Sequence, residues 1–541
     1  MSIHQHGSTS RRFDRRSFLG ALGAVSLGGW SFLGMAEALG QQHSHSRFVL
    51  REDRFGRMFP ELPPFFARSS PALTAALLDI GKPGGILDAK DPLAAGPVAL
   101  IADPALSVNN PDNPAHTAGT TFMGQFLDHD ITFDLTSRLN VPASPEGSPN
   151  SRTPALDLDS VYGGGPHRSP ELYGHARSPI KLKLESGGLF EDLPRRRDGR
   201  AIIADPRNDE NVVIAGLQAA FLAFHNRAVD YVARRLRSWD ADEVFHEARR
   251  LTTWHYHWMV VHEFLPLFIG RDLVADILYR GRRFYRPPVG FVPVEFQGAA
   301  YRFGHSMVRP SYRANLNGDN GAAFFGMIFD AAGEGQTDPV DLRGGARASR
   351  RFIGWETFFD FGSIPRPSGA GTLGEDMRPN KLIDARISTP LFNLPLGTIA
   401  TGEPPTSLAQ RNLLRQVTWL LPSGQLIARR MGVAPLVDSE LAELRAYGLG
   451  LERSTPLWYY VIKEAEVREG GRRLGPVGGR IVGEVFIGLL QMDRESYLSR
   501  NPWWKPTLPR MDGSASGEFR MIDFLAFAGV DPVSRAATRS A

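Results

Sequence analysis

No cysteine occurs among the 541 residues of this chain. Such a chain has no disulfide framework, no thiolate nucleophile, no iron–sulfur cluster and no cysteine-ligated metal site. Its fold must be held by a buried apolar core, and apolar residues make up 42% of the sequence. Any metal or redox chemistry must use histidine, carboxylates or backbone oxygens.

The charge of the chain is nearly balanced. Lysine and arginine number 62 and aspartate and glutamate 58, which gives a formal net charge of +4. A surplus this small, spread along the whole sequence, does not predict nucleic acid or an anionic membrane surface as a partner. We therefore expect a soluble, globular protein that does not bind nucleic acid.

The amino terminus has the pattern of an export signal. Residues 11–38 contain a basic cluster, an apolar stretch rich in Gly and Ala, and the small-residue cleavage pattern AEA at 36–38. Residues 15–19 read RRSFL and resemble the twin-arginine signal, which exports proteins that fold before translocation. We predict that 1–38 is recognised by the twin-arginine machinery and that the protein is periplasmic or extracellular. An uncleaved membrane anchor is the alternative, because residues 17–35 are just long enough to span a bilayer.

Beyond a linker at 39–59, the pattern of apolar residues indicates one large, mainly α-helical domain over 60–535 with little β-structure. Residues 60–115 are dense in Pro, Gly, Ala and Asp, and we expect extended chain there. Apolar residues recur at three- and four-residue spacing, typical of helices, in 119–133, 212–239, 242–267, 272–279, 293–307, 407–421, 440–447, 456–466 and 480–493.

The first polar motif lies inside a helical segment, where residues 124–130 read GQFLDHD. On a helix, Gln125, Asp128 and His129 share one face, and Asp130 is turned about 100° away from His129. A solvated helix end is one interpretation. Apolar residues on both sides favour burial, and buried ionisable groups need a partner or a function.

The second motif, at 153–163, reads TPALDLDSVYG. The side chains at 153, 157 and 159, with a backbone carbonyl between them, supply the hard oxygen ligands that Ca²⁺ takes. Two Asp residues in one loop are common in proteins that bind no metal. The motif indicates a calcium site only in combination with other evidence.

Two further motifs follow. Residues 205–211 read DPRNDEN and precede a long helix that Asn208 or Asp209 could cap, but capping does not explain Arg207. Residues 302–305 read RFGH, with Arg302 and His305 on one helical face. A lone histidine in such a place is more often a core residue than a ligand.

Together and in this order, the four motifs resemble those of the animal-type haem peroxidases, the superfamily of myeloperoxidase, peroxidasin and their bacterial relatives. The resemblance spans residues 110–425. It implies a single-domain, mainly helical fold that holds haem b and Ca²⁺. It also implies an exported peroxidase that reduces hydrogen peroxide and oxidises a small organic or halide donor.

The resemblance also implies a role for each motif residue. His129 would be the distal histidine with Gln125 beside it, and Arg207 the distal arginine, so that the histidine moves a proton and the arginine stabilises developing charge. Among the haem-binding positions, His305 would be the proximal iron ligand and Asn412 would bond to it. Arg302 would contact a propionate, and Asp128 and Glu210 would be the carboxylates able to form haem esters.

The calcium shell implied by the resemblance consists of Asp130, Thr153, the carbonyl of Ala155, Asp157 and Asp159. Relatives often have Ser at the last of these positions, so Asp159 adds a negative charge that should strengthen the site. Asn211 stands where myeloperoxidase has a Met that forms a sulfonium link to haem, which excludes that link here.

Two other functions remain open. In the haem-dependent fatty-acid dioxygenases, a catalytic Tyr lies three residues before the proximal histidine, whereas this chain has Arg302 there and Tyr301 one residue earlier. The other alternative is a non-catalytic secreted calcium-binding protein of the same fold. The sequence leaves the electron donor, the ester links and the oligomeric state undecided. We interpret the aromatic run at 254–263 and the pair Trp503 and Trp504 as packing.

Overall fold

Helices with apolar faces make up most of the core, as the sequence periodicity predicts. The computed structural model describes residues 54–66, 69–174, 178–186, 190–236, 240–362, 377–399, 401–514, 517–532 and 534–535. The predicted export signal and the linker up to residue 53 lie outside the described residues. From residue 54 onward the described chain packs around one core.

The α-helices are α1 (Pro71–Ile80), α2 (Gly96–Ala102), α3 (Gly119–Ile131), α4 (Asp159–Tyr162), α5 (Val212–Leu236), α6 (Ala241–Met259), α7 (Leu265–Ile269), α8 (Arg271–Arg280), α9 (Val294–Gln297), α10 (Gly304–Met307), α11 (Leu408–Thr418), α12 (Gly424–Met431), α13 (Leu457–Glu469), α14 (Pro476–Met492), α15 (Tyr497–Arg500) and α16 (Met521–Ala528). A π-helical turn, Val260–Phe264, joins α6 to α7.

Strands are short and pair two by two. They are β1 (Phe55–Gly56), β2 (Asp112–Thr117), β3 (Glu185–Ser186), β4 (Glu191–Asp192), β5 (Val292–Pro293), β6 (Ser311–Asp319), β7 (Ala322–Met327) and β8 (Pro379–Lys381). β1 pairs with β5 in parallel, and β2–β8, β3–β4 and β6–β7 are antiparallel. The prediction of a mainly α fold with little β-structure is confirmed.

Helix α5 is the central element of the core and packs against α3, α6 and α16. Asn211 caps it, because its Oδ1 accepts hydrogen bonds from the backbone N–H groups of Val213 (3.1 Å) and Ile214 (3.0 Å). The expectation that Asn208 or Asp209 caps this helix is wrong. α5 is long and apolar enough to cross a membrane, but 89% of its most apolar window is buried inside the protein, which is typical of a core helix.

Other expectations also need correction. The segment 60–115 is not purely extended, because the hydroxyl of Ser70 accepts a hydrogen bond from the N–H of Leu73 (3.1 Å) and starts α1, and α2 follows. The segment 440–447 is not an α-helix. It forms a 3₁₀-helix, Ala442–Tyr447, that ends at Gly448 in the left-handed conformation.

The segment 293–307 is not one helix. It divides into β5 from residue 292, α9, a 3₁₀-helix at Ala300–Phe303 and α10. The break lies at Gly298, where an added Cβ would come within 2.9 Å of the Trp419 ring, and at Ala299, whose φ of −144° is not helical. The interruption turns the short α10 with His305 toward α3, against which it packs.

Candidate functional site

The distal motif lies on α3, whose buried end carries His129. Nδ1 of His129 lies 2.8 Å from Oδ1 of Asn208, and Nδ2 of Asn208 donates to Oε1 of Gln218 (2.8 Å). Because Asn208 directs its NH₂ group to Gln218, its oxygen faces the histidine. His129 therefore carries its proton on Nδ1 and leaves the lone pair on Nε2. Burial and, to a smaller extent, the charge of Arg207 lower the pKa of His129 to about 4, so the ring is neutral.

Arg207 is fixed beside His129 by a buried carboxylate. Its Nε and Nη2 donate to the two oxygens of Asp205 (3.1 and 2.8 Å), and Nη2 also donates to the carbonyl of His129 (2.9 Å). The guanidinium stacks over the ring of Phe133 at 4.0 Å. Burial opposes ionisation of Asp205, but Arg152 and Arg207 hold its pKa well below the usual range. Nη1 of Arg207 has no hydrogen-bond partner among the described residues.

Gln125 and Glu210 meet on the same side of the site. Nε2 of Gln125 donates to Oε1 of Glu210, and Nδ2 of Asn211 donates to Oε1 of Gln125 (3.4 Å). Burial raises the pKa of Glu210 to about 8. Asp128 lies one turn from Gln125 on α3 and accepts a hydrogen bond from the hydroxyl of Thr132 (3.1 Å). Both carboxyl groups thus belong to the distal cluster that the sequence predicts.

The proximal motif centres on His305 in α10. Nδ2 of Asn412 on α11 lies 2.8 Å from Nδ1 of His305, and Nη1 of Arg302 donates to Oδ1 of Asn412 (3.4 Å). Burial lowers the pKa of His305 to about 3, and the charge of Arg302 adds to this effect. Arg302 is itself held by its Nε, which donates to the carbonyl of Gln297 (2.7 Å). His305, Arg302 and Asn412 form one group, as expected.

The proximal and distal segments are in contact. The hydroxyl of Tyr301 donates to the carbonyl of Gly124 on α3 (2.9 Å), and α10 packs against α3. The 3₁₀-helix Pro206–Asp209, which carries Arg207, packs against α3 as well. The structure therefore brings the segments that carry Arg207 and His305 to the distal helix α3, although Tyr301 is 177 residues from Gly124 in sequence.

The calcium motif forms a cluster of three carboxylates. One oxygen from each of Asp130, Asp157 and Asp159 lies within 4.8 Å of the others, and the hydroxyl of Thr153 reaches both Asp157 (3.2 Å) and Asp159 (2.9 Å). Ala155 lies in the same loop, and its N–H donates to the carbonyl of Thr153 (2.7 Å). The predicted residues are thus brought together.

The electrostatics of this cluster favour a cation. Asp130 is fully buried and faces away from His129, toward Ser160 (2.9 Å) and Tyr256 (3.2 Å). Burial and the neighbouring carboxylates raise the pKa of Asp130 well above its usual value, and burial raises that of Asp159 to about 6. Oδ1 of Asp159 is buried and accepts no hydrogen bond from the described residues. A bound cation would remove the mutual repulsion and satisfy that oxygen.

Two residues that the sequence analysis did not single out connect these groups. Arg152 is fully buried, with Nε 2.8 Å from Asp205 and Nη1 3.5 Å from Asp159, so it bridges the carboxylate cluster and the partner of Arg207. Gln218 orients Asn208. The sequence offered a sign of this role, because Gln218 is a polar residue inside the apolar run of α5. Arg152 had no comparable signal, because it stands in an irregular polar loop.

We tested whether these residues fit a haem. In His129 and His305, an asparagine amide holds Nδ1, while Nε2 has no hydrogen-bond partner among the described residues. The buried His225, by contrast, uses both ring nitrogens, with Tyr162 (3.1 Å) and the carbonyl of Ile180 (3.0 Å). In His129 this arrangement leaves the lone pair on Nε2, whereas His305 as an iron ligand needs the Asn412 amide turned over, so that Oδ1 accepts the Nδ1 proton. The donor set therefore fits a haem whose iron His305 would hold.

Comparisons with known proteins match part of this chain. Residues 137–324 match the family model described as animal haem peroxidase. Dual oxidase of Drosophila melanogaster is 31% identical over 110 residues, which cover 20% of this chain and 7% of the oxidase. The chain spans less than a quarter of the length of the curated relatives it matches.

Solved structures share the fold. Peroxidase A from Dictyostelium discoideum superposes with a TM-score of 0.57 at 18% identity, over 83% of this chain and 88% of that one. A fatty acid alpha-dioxygenase variant of Oryza sativa, solved with palmitic acid, gives 0.54 at 15% identity, over 84% and 80%. The match to the animal haem peroxidase model covers the segment that holds the calcium motif, Arg207 and His305, and the solved structures show that the chain shares their fold.

Proposed function

We propose that this protein is a haem peroxidase, which reduces hydrogen peroxide and oxidises a small organic or halide donor. The observation that carries the proposal is the pair of histidines with an asparagine amide at Nδ1 and an unengaged Nε2: the buried His129 beside Arg207 and the partly buried His305 beside Arg302. A scaffold that only bound calcium would not require either arrangement.

His129 acts as the proton carrier. Its neutral Nε2 takes a proton from hydrogen peroxide and returns it to the departing oxygen, a general base followed by a general acid. Asn208 and Gln218 keep the proton of the resting ring on Nδ1 and prevent the ring from turning. These two residues thus position the base without touching the substrate.

Arg207 stabilises the negative charge that develops as the O–O bond breaks. Its Nε and Nη2 are engaged with Asp205 and with the carbonyl of His129, so Nη1 is the part of the guanidinium left to meet the peroxide. Gln125 is a second amide on the same side and helps to orient the substrate.

On the other side, His305 would hold the iron, and haem, when bound, supplies the redox-active centre at which the peroxide is reduced. Nδ2 of Asn412 faces Nδ1 of His305 in this structure, and a turn of the amide by 180° would let Oδ1 accept the Nδ1 proton and leave the Nε2 lone pair for the iron. Because Asn412 is uncharged, it leaves the histidine a weaker electron donor than a carboxylate partner would. This raises the reduction potential of the iron.

Asp128 and Glu210 are proposed as attachment points for haem esters. Ester formation needs a carboxyl group close to a haem methyl, and these two side chains flank Gln125 on the distal side. The high pKa of Glu210 reflects the low polarity of its surroundings, where an uncharged ester is better tolerated than a carboxylate. Arg302 would hold a haem propionate.

The first test is spectroscopic. The purified, haem-loaded protein is expected to show a Soret band that changes on addition of hydrogen peroxide and returns when a phenol such as tyramine is added. Palmitic acid without peroxide should cause no oxygen uptake. Peroxide-independent oxygen uptake would favour the dioxygenase alternative, and failure to bind haem at all would favour the non-catalytic one.

We further propose that Asp130, Thr153, Ala155, Asp157 and Asp159 bind Ca²⁺. The three carboxylates supply the excess negative charge, and Arg152 compensates only part of it. Because Asp130 directly follows His129 on α3, the ion would fix the end of the distal helix. Through Arg152 and Asp205 it would also fix Arg207.

Removal of calcium is therefore expected to destabilise the protein and to alter its haem spectrum. At a calcium concentration one hundred times the Kd, the bound ion adds about 2.7 kcal/mol to the free energy of unfolding. Chelation should remove this contribution, and Tm should fall. Restoring Ca²⁺ should reverse both changes. Mg²⁺ should not, because it is smaller, requires near-ideal octahedral geometry and gives up its bound waters reluctantly. Asp130→Ala should abolish the effect of chelation, whereas Asp159→Ser should keep it at lower affinity. If exhaustive chelation leaves Tm and spectrum unchanged, the assignment is wrong.

We also propose that the twin-arginine motif directs export of the folded protein. In support, residues 15–19 carry the motif, and the chain has no cysteine that would require oxidation after export. Export after folding would allow the cofactor to be inserted before translocation.

A further inference from the structure

An aromatic cluster lies where α6 and the π-helical turn meet α15 and the segment after it. We call it the indole cluster, and its members are Trp254, Trp258, His262, Tyr497 and Trp504. Trp504 lies 5.3 Å from Trp254, 6.1 Å from Trp258 and 5.6 Å from Tyr497, between ring centroids. All of these separations are within the range of direct aromatic contact.

The cluster reaches the surface. Trp258 and Trp504 are half-buried, His262 is exposed and Tyr497 is buried beneath them. The ring of His262 stacks on Trp258 at 3.7 Å. A donor that cannot enter the protein could therefore still touch the indoles.

A series of ring contacts leads from this cluster to the haem-binding region. Tyr497 is followed by His257 at 6.4 Å, Tyr256 at 6.1 Å, Phe221 at 5.6 Å and Phe126 at 4.4 Å, each distance being to the preceding ring. Phe126 directly follows Gln125 on α3. The ring contacts are thus continuous from solvent to the distal helix.

The chemistry of the cluster suits one-electron transfer. Indoles and phenols are the side chains that lose an electron most readily, and Tyr497 loses its phenolic proton when it does so. Nε2 of His262 lies 3.1 Å from the hydroxyl of Tyr497, so that proton has an acceptor within hydrogen-bond distance. When an electron from a donor reduces the Tyr497 radical, His262 can return the same proton to the phenol.

We propose that the indole cluster is a second oxidation site, at which phenolic donors too large for the haem pocket give up electrons to Trp258 or Trp504. The inference rests on the proposed peroxidase function, which supplies the oxidant. Each phenol loses one electron and one proton and becomes a phenoxyl radical. Two phenols and one hydrogen peroxide therefore give two phenoxyl radicals and two molecules of water.

The test compares one phenol in two sizes: free tyramine and tyramine coupled to a high-molecular-weight dextran. In the haem-loaded full chain, the double variant Trp258→Phe, Trp504→Phe should oxidise the dextran conjugate about fivefold more slowly or worse, and free tyramine within about twofold of the parent rate. Trp503→Phe is the matched control, because Trp503 is 90% exposed but has no aromatic ring contact in the part of the chain that the structure describes.

A second readout does not depend on turnover. Hydrogen peroxide is added without donor in the presence of a nitroso spin trap, and the adducts are located by peptide mass spectrometry. Adducts are expected on the side chains of Trp258, Trp504 or Tyr497, and none on Trp503. Equal loss of both donors in the double variant would overturn the proposal, as would unchanged oxidation of the dextran conjugate. If the parent protein oxidises neither donor, the peroxidase function itself has failed.

Discussion

Replacement of His129 by leucine is expected to slow the reaction of the haem-loaded protein with hydrogen peroxide by about 10²- to 10⁴-fold. Leucine fills similar space but cannot accept the peroxide proton, and the uncatalysed loss of that proton is unfavourable near neutral pH. The neutral state of His129 and its unengaged Nε2 are the properties that this substitution removes. The rate is measured by stopped-flow absorbance of the Soret band at a series of peroxide concentrations.

The matched control is His225→Gln. His225 is also fully buried with a pKa lowered to about 4 by burial, but both of its ring nitrogens are engaged in the protein. Its replacement should lower Tm and leave the rate with peroxide within about twofold per folded haem protein. A His129→Leu protein that keeps its Soret band and reacts at the parent rate would refute the role of His129 as proton carrier.

The parts of the fold with strong periodicity were predictable from the sequence. α3, α5 and α14 have long apolar faces whose burial decides their conformation. The prediction failed where local signals were brief or tertiary contacts dominated. α1 depends on a single serine cap amid residues typical of loops, and the helix before Gly298 ends at a residue whose added Cβ would lie 2.9 Å from the ring of Trp419.

The candidate site was predictable where chemistry and spacing coincide. The opposite orientation of His129 and Asp130 follows from helix geometry, and the structure places Asn208 on one side and Ser160 on the other. The role of Asn208 was not predictable, because an asparagine before a helix is normally a cap. In this fold Asn211 takes the cap, which leaves Asn208 to orient the histidine.

Buried ion pairs cross-link the site in a chain that has no cysteine. Arg152 joins the carboxylate cluster to Asp205, and Asp205 joins it to Arg207, so buried ion pairs connect segments that are distant in the sequence. Buried charges of this kind are costly unless all partners are present. The calcium ion that we propose would supply the missing partner at the acidic end of this network.

Replacement of His305 by glycine is expected to abolish the spectrum of a histidine-ligated haem and to reduce peroxidase activity to background. The variant removes the only imidazole at the Asn412 side of the described site and leaves a ring-sized space. Because ester links through Asp128 or Glu210 would retain haem without the axial ligand, haem content alone does not decide the result. Acid–acetone extraction is therefore run in parallel: haem that stays with the protein is ester-linked, and haem that extracts is not.

Imidazole supplied in solution distinguishes an iron ligand from a structural histidine. Imidazole fits the space left in His305→Gly, so it should restore the parent-like spectrum and part of the activity, which no structural role would allow. Asn412→Leu should keep the ligand but lose its orientation, at a cost of about 10- to 100-fold in activity. Asn412→Asp should instead strengthen the histidine as an electron donor and lower the reduction potential of the iron. A His305→Gly protein with the parent spectrum before imidazole is added would show that the iron is held elsewhere.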